Sequence, residues 1–518
     1  MLALAAETTR VVDAYGRTVV PGMVDTHTHH NMAGENFLFK LNVGATDSID
    51  EICRAVSEWI TSKELSAGDW VTGGGWGATL LNELMKPESL AKLDAAAPRN
   101  PVLLRDDSHH QKWANSKALE RAGITADTPD PEGGTIHRDK AGAATGVLLE
   151  SAGGEVDKIR IADSPLSGSE YAARCSKIAI EMLHAVGITA FQDASSTKEV
   201  LEGLKQLDDA GELQAWVVTS MPAHDAFFGF ELVGEPLMAL GEQYRTEHHR
   251  PDYTKIWLDG VPMNQSTALL DPYLPSEEFG CDHRGQTNMT FDEFEHWLRY
   301  IGAQGLGVKV HATGDGAVRM VLDSVEKVRA DGIDVKVQAA HVTFIDPQDV
   351  PRFAELNVVA EISPALWNPG ILTEAIRAVV PSSLVDQNMY PNRDLVDSGA
   401  HVAIGTDWPV PPTPDPWGPI YSLVTRKDPT GSFSGQLNIA QALTVSEALH
   451  LYTSASAHAA GLGDVAGRIA PGMSTDFVVL NKDPFEIDVE ELKNVHPLET
   501  WFAGNRVYSR EESHLPTS

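Results

Sequence analysis

Eight short runs rich in β-branched and apolar residues recur along the chain, and most are separated by segments with helical spacing. The runs are GMVDTH (22–27), GITAFQDA (187–194), LQAWVVTS (213–220), TKIWLDG (254–260), GVKVHATG (307–314), KVQAAHVTF (336–344), NVVAEIS (357–363) and HVAIGTD (401–407). DEFEHWLRYIGAQ (292–304) and GAVRMVLDSVEKVRADG (316–332) show the intervening amphipathic pattern. A parallel strand pair needs a long crossover, usually a helix, so strand–helix–strand repetition predicts parallel βα units. Eight units predict an α/β chain built on a (β/α)8 TIM-type barrel, with a doubly wound open sheet as the competitor. At 518 residues, 42% of them hydrophobic, the chain can bury such a core and carry further parts.

Two regions lie outside that repeat. Residues 60–185 separate the first and second runs by far more than a βα connection requires. They contain WVTGGGWG, PVLLRDDSHH and EGGTIHRDKAGAATGVLLE, which predicts an inserted, partly β subdomain within a barrel spanning 21–464. GRIAPGMSTDFVVLNKDP and PLETWFAGNRVYS read as turns and short alternating strands, with TTRVVDAYGRTVV as their N-terminal partner. Residues 1–20 and 465–518 are therefore expected to form a small β-sandwich-like domain. The N-terminal share of that domain is short, since the first barrel run is reached by residue 21.

With 73 acids against 40 bases the net charge is −33, which disfavours nucleic acid and anionic lipid as partners. Three distant cysteines provide no disulfide framework and point to a reducing compartment. Neither a signal sequence nor a run of ~18 apolar residues is visible, so the chain reads as cytoplasmic, without a membrane partner. Homo-oligomerisation stays open.

In a (β/α)8 barrel, active sites form at the C-terminal strand ends. Strand 1 ends in His27 and His29, and alternation sends both rings into the barrel mouth, with His30 directed elsewhere. Lys255 lies on strand 4, His311 on strand 5, His341 on strand 6 and Asp407 at the end of strand 8. Singly, each has an ordinary reading: a hydrogen-bonded histidine, a snorkelling lysine, a turn-forming aspartate. Together they form the imidazole and carboxylate set that binds zinc and similar divalent ions. Asp193 and Asp259 read as structural carboxylates.

VVPGMVDTHTH, VKVHATGDGAV, AAHVTF and AIGTDWPV resemble the strand 1, 5, 6 and 8 motifs of the amidohydrolase superfamily of metal-dependent hydrolases. HHQKWANSKALERAGI and DPEGGTIHRDKAGAATGVLLE are similar to segments of its YtcJ-like branch, amidohydrolase family 3. The resemblance implies that His27, His29, His311 and His341 bind one or two divalent ions, zinc first. It implies a carboxylated Lys255 bridging two ions, and Asp407 as both ligand and catalytic acid/base. DGVPMNQSTALLDPY departs from the branch after strand 4, having Gln265 or Ser266 where an arginine is expected.

Such a site suits hydrolysis of a C–N bond, an amide before an amidine, because the departing nitrogen must be protonated. Deaminase, ester or phosphoester hydrolase activity is the alternative, and a non-catalytic scaffold the remote one. His110 is a candidate second catalytic group, donating to the carbonyl oxygen, with turn capping as its ordinary reading. Trp76, His110, Trp113, Trp367, Trp408, Trp417 and Tyr421 are candidate walls for a small-molecule amide bearing an apolar or aromatic part. Core packing is the competing reading for each aromatic.

Overall fold

The computed structural model describes residues 6–106, 110–164, 166–225 and 230–512. All eight runs form strands, and they hydrogen-bond side by side in chain order: β1 (Met23–Thr28), β2 (Ile188–Asp193), β3 (Trp216–Pro222), β4 (His249–Trp257), β5 (Gly307–Ala312), β6 (Lys336–His341), β7 (Val359–Ile362) and β8 (Val402–Ile404). Every neighbouring pair is parallel. The ring is completed just beyond β8. Asp407 N donates to His27 O at 2.7 Å, His29 N donates to Trp408 O at 2.7 Å, and Thr28 bridges Trp408 in parallel. This is the (β/α)8 barrel that the repeating pattern predicts.

The strands are buried on both faces, as expected where helices cover the outside and side chains fill the lumen. Crossover helices follow from their sequences. Thr290 and Glu293 form a reciprocal capping box that starts Phe291–Ala303. Val318, Val321, Leu322, Val325 and Val328 place one buried stripe along Asp315–Ala330. The element β4 begins at His249, five residues before the apolar run, so Lys255 is the seventh of its nine residues, near the C-terminal end.

Contacts divide the chain into two compact units, Met1–Asn31 with Ser169–Ser518, and Met32–Gly168. The first holds the barrel and a four-stranded antiparallel sheet. In that sheet Val19–Pro21 pairs with Phe477–Leu480, which pairs with Pro497–Phe502 and then Asn505–Ser509.

The second unit is a six-stranded mixed sheet, in the order Lys40–Asn42, Val71–Trp76, Val102–Asp106, Gln111–Ala114, Ala144–Glu150, Gly134–Arg138. One hydrophobic cluster includes Trp76, Leu104, Trp113 and Val147; a separate one includes Leu103, Ala114, Ile136 and Leu148. Their alternation along the strands puts them on opposite faces. The glycine run 73–75 is required by close backbone approach. A Cβ on Gly73 would lie 2.0 Å from Leu41 O, and one on Gly74 2.1 Å from Arg105 O. Among the described residues, no helix is long and apolar enough to cross a membrane.

Candidate metal centre

The end of β1 supplies His27 and His29, whose Nε2 atoms lie 3.5 and 3.3 Å from the same oxygen, Asp407 Oδ1. His341 from β6 packs against His27 with ring centroids 4.5 Å apart, and His311 from β5 against His341 at 4.8 Å. Lys255 Nζ donates to His27 Nε2 at 3.3 Å. The six residues singled out at the strand ends are thus linked by one chain of close contacts.

Three of the four imidazoles have one nitrogen engaged outside those contacts. Glu361 Oε1 accepts from His27 Nδ1 at 2.5 Å, Gly260 O accepts from His311 Nε2 at 3.0 Å, and His341 Nδ1 lies 2.9 Å from Ser363 Oγ. A ligating histidine commonly has its second nitrogen held this way, leaving the other lone pair for the ion. Potential donor atoms of His27, His29 and Asp407 lie within 4.8 Å of one another, as do those of His27, His341 and Glu361. The donor set fits a divalent ion.

Electrostatics favour the ligating forms. Burial lowers His27 and His341 well below the usual histidine value, and burial with the Lys255 charge brings His311 to about 4. Neutral imidazole is the form that binds metal. Burial pushes Asp407 up, yet the His29 hydrogen bond, with the Lys255 charge beside it, outweighs burial and holds the carboxyl at about 2. Burial and Lys309 bring Lys255 down to about 7, against the pull of Asp407. The opening lies on one side: His29, Asp407 and His311 side chains are 15%, 16% and 14% exposed, and His27 is fully buried.

Backbone geometry is unusual here. His341, Val342 and Asp407 have φ of 72°, 35° and 62°, a region that non-glycine residues rarely adopt. They turn the chain sharply where β6 and β8 reach the mouth.

Comparison with known proteins places this barrel. A family model described as the amidohydrolase family matches residues 10–508. The chain belongs to the amidohydrolase family. It is 29% identical to an N-substituted formamide deformylase of Arthrobacter pascens, over 98% of this chain and 92% of the relative. It is also 29% identical to the putative amidohydrolase YtcJ of Bacillus subtilis, over 97% and 91%. The crystal structure of an uncharacterized metal-dependent hydrolase from Pyrococcus horikoshii superposes with a TM-score of 0.72 at 24% identity, covering 93% of this chain and 89% of that one. Family membership supports a hydrolase that uses a divalent metal.

The remaining candidates of this amidohydrolase fall in other settings. Trp76 and Trp113 are fully buried in the core of the second unit. His110, also there, is 66% exposed and pairs through Nδ1 with Glu150 at 3.0 Å, which raises its pKa. In the barrel unit, Trp367 stacks on Tyr390 and lies beneath the Arg426 guanidinium, 4.1 Å from the ring centroid. Trp408 and Trp417 are buried, and Tyr421 donates to Glu490 Oε2 at 2.7 Å. His30 is buried between Asp193 and Ser176. Asp259 accepts backbone hydrogens from Thr313, Gly314 and Ala268.

Two groups escape a reading of strand ends alone. Asp25, inside VDTHTH, accepts from His27 N and Thr406 N, each at 3.0 Å, and so ties β1 to the chain beyond β8. Glu361 on β7 and Lys309 on β5 form a fully buried ion pair below the histidines. A lone charge within an apolar strand was the available signal for both members of that pair.

Proposed function

We propose that this amidohydrolase cleaves the C–N bond of a small amide, of the N-acyl or N-formyl class, with Asp407 as the proton shuttle. The observation that carries the reading is the single Asp407 oxygen shared by His27 and His29 at the mouth of the site. The relative named as an N-substituted formamide deformylase, matched along nearly the whole chain, supports the bond class.

His27, His29, His311 and His341 would hold the ion, zinc first, with Lys255 in carboxylated form completing a two-ion site. A divalent ion there supplies Lewis acidity and lowers the pKa of water to about 7. Asp407 is ionised and partly exposed, so it can accept a proton from the attacking water and pass it to the departing nitrogen. That transfer is worth typically ~10²–10⁴-fold. The buried lysine amine is the form able to combine with carbon dioxide, and burial favours it at Lys255.

The test joins elemental analysis to a substrate panel of N-formyl amines, N-acyl amines, aryl amides, esters and cyclic amidines. The expected result is about one to two equivalents of metal and turnover of an N-formyl or N-acyl amine, with Lys255→Ala losing most of the metal. A metal-loaded protein that turns over only amidines or only esters would replace the amide reading. Full loading of Lys255→Ala would place Lys255 outside the metal set.

A further inference from the structure

We infer that Glu361 is the positioning residue for His27 and that it also determines which of two buried lysines remains available to the site. The inference rests on His27 being a metal ligand.

Glu361 is fully buried on β7, and both its oxygens are engaged. Oε1 accepts from His27 Nδ1 at 2.5 Å; Oε2 accepts from Lys309 Nζ and from Thr26 Oγ1, the latter at 3.2 Å. With Nδ1–H committed to Glu361, the lone pair of His27 lies on Nε2, the atom facing Asp407 and Lys255. The imidazole is therefore fixed in tautomer and in rotation before any ligand arrives.

Lys309 accounts for the charge. An isolated buried carboxylate costs several kcal/mol, and a paired ammonium offsets that cost. Lys309 sits opposite Lys255 in the β4–β5 register, so two lysines enter the lumen side by side. Both are buried. Glu361 engages Lys309. Among the described residues, Lys255 makes no ion pair, and its Nζ reaches His27 Nε2. One glutamate thereby orients a ligand and occupies the competing amine.

Two variants separate positioning from mere structural support. Glu361→Gln keeps the shape but removes the charge. The double variant Glu361→Leu/Lys309→Met replaces the ion pair with apolar groups of similar length, an exchange that is often neutral or stabilising for a fold. Zinc affinity is read by competition with a chromophoric chelator, the site geometry by the visible spectrum of the cobalt-substituted protein, and folding by thermal melting. The expected result is a zinc affinity lower by ~10–100-fold in both variants, with an altered cobalt spectrum, even where the double variant melts like the parent. A double variant that regains the parent's melting temperature together with the parent's zinc affinity and cobalt spectrum would show that the pair only supports the fold. Unchanged affinity in Glu361→Gln would likewise overturn the inference while leaving the metal site intact. A parent protein that binds no zinc or cobalt would overturn both.

Discussion

Gly405→Ala adds one methyl group where the chain after β8 presses against His27. A Cβ there would lie 2.2 Å from His27 Cβ and 3.0 Å from Glu361 Oε1. Carbon atoms in contact normally stand about 3.5–4.0 Å apart, so roughly 1.5 Å must be recovered. Neither neighbour is a free end. His27 is held by Asp25 through its N–H, by Asp407 N through its carbonyl and by Glu361 through its ring. Relief requires that β1 and β8 separate locally or that the His27 ring shift. Overpacking of this kind costs about 1–3 kcal/mol, and a displacement near 1 Å at reacting groups can cost about 10²-fold in rate. Chemical denaturation, metal analysis and kcat on the best amide substrate measure the two effects together. Gly154→Ala is the matched control. It lies inside the helix Ser151–Ala162 with nothing within 4 Å of the added Cβ, so it should stabilise by about 0.5–1 kcal/mol. A Gly405→Ala protein with the parent's stability, metal content and kcat would refute the argument that this contact sets the position of His27.

Asp407→Asn should keep the fold and most of the metal while kcat on amides falls by ~10²-fold or more, and activated esters should lose less because their leaving groups need no proton. Near-normal amide turnover in the folded, loaded variant would move the shuttle to another group. Acid should weaken the fold through His184 and His249, each held at about 4 by burial against an ordinary 6.5. The folded form is the reluctant proton acceptor, so this contribution is complete above 6.5 and is lost as pH falls towards 4, at most about 3 kcal/mol for each histidine. Urea titrations of parent and His184→Gln should therefore differ less at pH 4.5 than at pH 7.5; an equal difference at both would show that His184 does not contribute this dependence.

The barrel is legible because its strands are apolar along their length, while the segments between them carry helical spacing. The start of β4 is hidden for a physical reason. Arg250 and Asp252 alternate outward and pair with Asp464 and Arg245, so HRPDY has the polarity of a loop although it is a strand. Ligand candidates at strand ends can be found by alternation alone, as His27 and His29 show. The Glu361–Lys309 pair cannot, because two charges 52 positions apart become partners only when β5, β6 and β7 are laid side by side. Trp76 and Trp113 illustrate the opposite case: tryptophan is equally suited to a pocket wall and to a core, and sequence offers no way to choose.

The seam that completes the barrel combines main-chain bonds made by His27, His29, Asp407 and Trp408 with side-chain bonds from Asp25 and Thr26, in place of a full strand ladder. Whatever grips His27, His29 and Asp407 from the mouth therefore also clasps the first strand to the last. An ion held there would reinforce a seam that is already closed, stabilising the fold by RT ln(1 + [L]/Kd). Substitutions at Asp407 or Trp408 would therefore bear on the fastening of the ring as well as on the mouth of the site.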